Sequence, residues 1–374
     1  MTKNSTPPIG QIGQHRQSNL ELFRIICMLM IVAHHYVVNS GLIGEGGFLM
    51  SDYSSGNSIF LSLFGVWGKT GINCFMMITG YFMCTNKISL RKFVKLMCQI
   101  YFYKLIIFLV FLCFGREIIS IKNLIKLIMP FWGFNNNFTS CFIVFWLTIP
   151  FLNILIQNMN KKQHKMLIIL MMSIYTIFGS IPYFNVTFNY VVWFGIIYII
   201  SSYIRLYPDP IFKKNNIWMW LSFLFVILAM GSILVLRIIF RERAGMGDLF
   251  LSDCNKFFAV VISICSFVWF KNMNIKYSKI INAFGAGTFG VLLIHANSDA
   301  MRAWLWQDII DVVGHYSLPL IELATYSLVV VLTIFTICNI LDQIRICTIE
   351  KWFFHWYDNK FSTKLDVWIQ KVIQ

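Results

Sequence analysis

The chain has 374 residues, 58% hydrophobic and only 13% charged, and its net charge is +15. A soluble domain is about a quarter charged, so this composition and a mean hydropathy of +0.68 exclude a fold solvated by water and point to lipid. In that setting the excess of Lys and Arg marks cytoplasmic loops rather than a nucleic-acid partner.

Residues 1–19 carry Pro7, Pro8 and several Ser, Asn and Gln, the composition of a flexible arm. The first long apolar run lacks a small-residue cleavage site, so it is expected to remain as a helix. A spanning helix needs about 20 mostly apolar residues. On that basis the sequence predicts an all-α polytopic bundle of about ten spans, near 20–40, 63–84, 93–114, 138–157, 165–183, 188–205, 216–238, 255–271, 279–296 and 320–342. Two shorter apolar stretches, 57–67 and 118–131, read as interfacial or re-entrant.

Every second connection is basic. Lys3 and Arg16 precede the first span, and Lys87, Arg91 and Lys92 follow the second. Further groups are Lys161, Lys162 and Lys165, then Arg205, Lys213 and Lys214, then Lys271, Lys276 and Lys279. The intervening connections are poor in Lys and Arg. The exceptions are Arg116, Lys122 and Lys126 in one and Arg237, Arg241 and Arg243 in another. The majority puts both termini in the cytoplasm. The tail, 344–374, mixes Trp352, Phe353, Phe354, Trp356, Trp368 and Ile369 with lysines, as an amphipathic helix on the inner leaflet does. Ten scattered cysteines form no C-x-x-C pair and suggest no metal site. The arm, a bundle over 20–343 and the tail make up the expected organisation.

A charge inside a span is costly and is a functional candidate by default. In the first span, NLELFRIICMLMIVAHHYVV, Arg24 and His35 are eleven residues apart. Eleven steps of 100° return to within about 20° of the start, and the rise is about 16 Å, so the two share a face at different depths. Glu21, one turn before Arg24, can pair with it. Arg24 alone reads as a snorkelling residue; the pair on one face of an apolar helix reads as a site. His34 points about 100° away and is either a second polar lining residue or an interfacial one. His295, at the end of TFGVLLIH, either reaches the same outer cavity or faces water. Lys69 either marks the outer end of the second span or faces a cavity. Lys104, within the third span, is expected to snorkel inward. Asn137-Phe-Thr and Asn185-Val-Thr match a glycosylation sequon.

Arg24, ten intervening residues and His35 together resemble the signature of the acyltransferase-three family of bacterial membrane O-acyltransferases, with Glu21 at the family's acidic position. GKTGINCFMMITGYFM (68–83) is similar to the family's second signature, with Thr79 in place of a serine. CFIVFWLTIPFLNILI (141–156) and GTFGVLLIH (287–295) are similar to later landmarks. The family usually places arginines at the start of the third span; here LRKFVKLMCQI (90–100) has Arg91, Lys92 and Lys95, with Gln99 at an arginine position.

The resemblance implies transfer of an acyl group, most often acetyl, from coenzyme A to a hydroxyl of a cell-surface glycan or its lipid-linked precursor, in the bacterial cytoplasmic membrane. Acetyl-CoA or another acyl-CoA would be the donor substrate, with no bound cofactor. Arg24, Arg91, Lys92 and Lys95 would bind its phosphates. Neutral His35 would serve as general base, or as the carrier of a transient acyl group. Glu21 would orient Arg24, with His34, His295 and Lys69 as accessory candidates. The alternatives are a polytopic transporter or flippase, or a non-catalytic subunit of polysaccharide export.

Overall fold

A computed structural model describes residues 17–44, 46–86, 89–129, 131, 137–184, 186–240 and 247–360. Lys3, Arg16 and the prolines of the arm, Lys87, Asn185, Arg241 and Arg243, and Trp368 and Ile369 of the tail lie outside the described residues.

The helices follow in the order α1 (Ser18–Val38), α2 (Phe48–Ser51), α3 (Gly56–Gly65), α4 (Gly68–Met83), α5 (Leu90–Cys113), α6 (Ile121–Ile128), α7 (Phe138–Gln157), α8 (Lys161–Met172), α9 (Tyr190–Leu206), α10 (Asn215–Ile239), α11 (Phe257–Asn272), α12 (Lys279–His295), α13 (Asp299–Ala303), α14 (Leu320–Arg345) and α15 (Lys351–Lys360). No strand occurs among the described residues. Local chemistry fixes many of the starts. Ser55, Ser89, Ser120, Asn137, Ser278 and Ser298 each accept a hydrogen bond from a backbone N–H in the first turn of the helix that follows. Asn160 and Gln163 form a reciprocal capping box at the start of α8. Asn137, read above as the head of a sequon, is the cap of α7.

Each of the ten expected spans falls on a helix, but fewer are long enough to cross a membrane alone. Six stretches are both long and apolar enough: Ser18–Val38, Gly56–Met83, Leu90–Cys113, Phe138–Gln157, Asn215–Ile239 and Leu320–Lys360. A seventh is added if α12 and its continuation Asp299–Ile309, bent by 97°, count as one span. The apolar helices α9 and α11 have only 17 and 16 residues, short of the usual ~20. One expectation changes. The stretch 57–67 is no separate interfacial element, because α3 and α4 run together as a 28-residue span. The described part of the tail, 344–360, continues α14 through the turn Ile346–Glu350 into α15, since no Gly or Pro interrupts 320–360.

Helix α1 is the centre of the bundle, packed against α3, α4, α11, α12 and α14. Its buried positions, among them Leu20, Phe23, Cys27, Met28, Ile31, Val32 and Tyr36, join the two main apolar clusters. The outer helices leave apolar faces uncovered, as along Trp220, Phe223, Leu224, Ile227 and Leu228 of α10, which suits contact with lipid. The approach of α12 to α1 requires glycine. A Cβ on Gly285 would lie 2.7 Å from Cβ and 3.1 Å from Cα of Glu21.

Candidate functional site

Contacts between helices define two ends of the bundle. Ser18 at the start of α1 donates to Asn282 in the first turn of α12 (3.2 Å). Gln343, near the end of α14, donates to the carbonyl of Ala283 (2.7 Å). Further along the bundle, Tyr103 and Gln99, near the middle of α5, donate to Asp342 of α14 (2.8 and 3.3 Å). The opposite end gathers the end of α1 and the end of α12, where His35 and His295 meet, together with the starts of α4, α7 and α9.

At that end His35 Nδ1 lies 2.8 Å from His295 Nε2, and His295 Nδ1 lies 2.6 Å from the carbonyl of Val291. A carbonyl only accepts, so Nδ1 of His295 carries a proton, and in a neutral ring its Nε2 must then accept. His35 therefore donates through Nδ1, and in a neutral ring its own Nε2 then carries the lone pair. His295 is wholly buried, one turn beyond Val291 and just before the bend that follows α12. His34 Nδ1 donates to the carbonyl of Gly65 at 2.7 Å.

His34 and His35 both line a cavity of about 450 Å³, within the range of small-molecule sites. Lys69 lines it too, donating to the hydroxyl of Tyr190 (2.7 Å) and lying 3.4 Å from Asp253. Lys104 departs from its expected inward snorkelling. Its ammonium reaches the carbonyl of Lys126 at the end of α6 (3.2 Å) and lines this same cavity. The cavity reaches the surface at Asp299, which pairs with Arg302.

The other expected residues lie elsewhere. Arg24 Nη1 is 3.6 Å from Glu21, and neither lines the cavity. Arg91 makes a two-pronged bond to Asp358 (2.8 and 2.9 Å), and Lys95 pairs with Glu350. Arg24, Arg91, Lys92 and Lys95 thus stand at the end of the bundle opposite His35. What the sequence did not single out is a buried network part-way along the bundle, where the middle of α5 meets α14. Asp342 accepts from Arg345 Nε (2.7 Å), Tyr103 and Gln99, and Arg345 also donates to Glu350 (2.8 Å). The available signal was Asp342 and Arg345 at i, i+3 closing an apolar run. Gln99 faces this carboxylate.

No curated protein and no solved structure matches the chain. The family model described as Acyl_transf_3, acyltransferase domain, matches residues 17–341, from the residue before α1 to within a few residues of the end of α14. By that match the chain belongs to the acyltransferase-3 family of acyltransferases.

Proposed function

We propose that this membrane acyltransferase moves an acyl group, acetyl as the leading choice, from coenzyme A to a hydroxyl of a cell-surface glycan or its lipid-linked precursor, and that His35 is the catalytic base. The observation carrying the reading is the histidine pair. His295 fixes the proton of His35 on Nδ1, leaving the Nε2 lone pair for a hydroxyl in the cavity. As that hydroxyl attacks the thioester carbonyl, Nε2 takes its proton. The carbon–sulfur bond breaks, and the departing thiolate takes the proton back from the imidazolium. The products are the ester and free coenzyme A.

The donor's phosphates are proposed to lie at the opposite end, at Arg24, Arg91, Lys92 and Lys95, with that end in the cytoplasm of a bacterium. Phosphate would displace Asp358 from Arg91 and Glu350 from Lys95, replacing one anionic partner with another. Arg24 and His35 are separated along α1 by about 16 Å, a distance an extended pantetheine arm can bridge.

The test is proton NMR of the surface glycan from a deletion strain carrying wild type, His35→Ala or Arg24→Ala at matched membrane levels. O-acyl signals should appear with wild type and vanish with both variants. Signals that persist with His35→Ala would eliminate it as the base and direct attention to His34, whose Nδ1 donates to Gly65 and whose Nε2 then carries the lone pair of a neutral ring.

A further inference from the structure

The cavity has more positive charge than acyl transfer to a neutral sugar needs. Its walls carry Lys69, Lys104, Lys126 and Arg302 against Glu117 and Asp299. Lys69 is matched by Asp253, and Arg302 by Asp299. Arg116, next to Glu117, is matched by Asp308. Lys104 and Lys126 have no carboxylate within ion-pair reach among the described residues.

These two lysines are placed together by the fold. On α5, Ile100, Lys104, Ile107, Phe108 and Phe111 form one helical face towards the cavity, and on α6 Asn123, Lys126 and Leu127 form another. Tyr101 donates to the carbonyl of Ile128 (2.8 Å), tying the two helices side by side. The bond from Lys104 to the carbonyl of Lys126 brings its ammonium to the last turn of α6. That bond uses one of three N–H donors and leaves two for a ligand. An ammonium well inside an apolar helix is costly unless compensated, and one carbonyl is weak compensation.

The charge pattern along the chain points the same way. Loops on the side expected to lie outside the cell should be poor in Lys and Arg, yet Arg116, Lys122 and Lys126 occur in one and Arg237 in another. Arg237 has a structural explanation, being buried with its guanidinium 4.2 Å from the Tyr53 ring and donating to Ser58 (3.3 Å). Arg116 has its own in Asp308. Lys126 has no comparable intramolecular partner among the described residues.

We propose that Lys104 and Lys126 bind an anionic group, carboxylate or phosphate, on the saccharide acceptor. The proposal rests on the acyl-transfer reading of this cavity and names the class of acceptor. Asn123, Asn137 and Asn297 in the same walls supply uncharged donors and acceptors for sugar hydroxyls. The donor's phosphates are the other source of such an anion, but their proposed site is at the far end of α1.

Purified full-length protein in lipid nanodiscs is titrated with glucuronate, glucose 1-phosphate and glucose, with binding read by saturation-transfer NMR. At least one anionic sugar should bind wild type about tenfold more tightly than glucose, the low end for hydrogen bonds to a charged group. The double variant Lys104→Gln/Lys126→Gln should bring that ratio close to one. Lys104→Arg/Lys126→Arg should retain it, which separates charge from folding. Equal binding of all three sugars to wild type overturns the proposal, as does a preference that survives the double Gln variant. Loss of desacetyl-CoA binding in that variant with an unchanged sugar preference would assign the lysines to the donor and also overturn it. Binding is read without turnover, so a failure of acetyl transfer would refute the parent reading separately.

Discussion

Replacing His295 by alanine tests how the site sets the state of His35. The change removes the acceptor 2.8 Å from His35 Nδ1 and leaves the ring free to carry its proton on either nitrogen. In the transition state His35 becomes imidazolium, and its bond to His295 becomes a hydrogen bond from a charged donor. Such bonds contribute about 1.5–3 kcal/mol, and each 1.36 kcal/mol is tenfold in rate. His295→Ala should therefore lower kcat by about 10- to 150-fold, with KM for acetyl-CoA little changed because His295 does not line the cavity. His295→Gln, whose amide oxygen can accept from Nδ1 while its nitrogen donates to Val291, should recover a substantial part. The assay is release of coenzyme A from acetyl-CoA by protein in nanodiscs, supplied with glycan from a deletion strain. Wild-type kcat in His295→Ala would refute the positioning role. A rise in KM for acetyl-CoA with kcat unchanged would place His295 in donor binding instead.

Three further outcomes concern the packing that holds the site. A Cβ on Gly290 would fall 2.5 Å from both carboxylate oxygens of Asp342, so Gly290→Ala should cost about 1–3 kcal/mol, the usual range for overpacking; an unchanged melting temperature would show that α12 and α14 can separate freely. Asp342→Ala removes the carboxylate that Arg345, Tyr103 and Gln99 share. It should cost about 3 kcal/mol, the low end for breaking a buried pair because Glu350 still holds Arg345. The double replacement Asp342→Leu/Arg345→Met should cost less than Asp342→Ala in the same denaturation assay, and strict additivity would contradict this account. Asn73 donates to the carbonyl of Cys254 (2.7 Å) and accepts from the Trp193 indole (2.8 Å). Asn73→Leu strands both, at about 1–3 kcal/mol each, and should lower the melting temperature more than the neighbouring exchange Met76→Leu does.

The sequence alone determined a good deal here. Hydropathy and length located the helical segments, because burial in lipid demands long apolar runs whatever their neighbours are. Serine and asparagine caps, which the structure identifies, set many of the starts, because a helix end needs a local acceptor for its free N–H groups. The histidines deep in the first span, His34 and His35, stood out because a polar ring in an apolar run carries a cost. Only the tertiary structure decided which residues share a space with them. His295 is 260 residues away from His35, and no periodicity within a helix links the two. Side-by-side packing of α12 on α1, from Ser18 and Asn282 at one end to His35 and His295 at the other, brings the two helix ends together. Helical phase put Arg24 and His35 on one face, yet the packing of α4, α12 and α14 around α1 leaves only His35 in the cavity. Lys104 could not be aimed from the sequence because a lysine in a span extends towards whichever polar group lies within reach. Here that group is a carbonyl of α6, set beside α5 by contacts that no local pattern encodes.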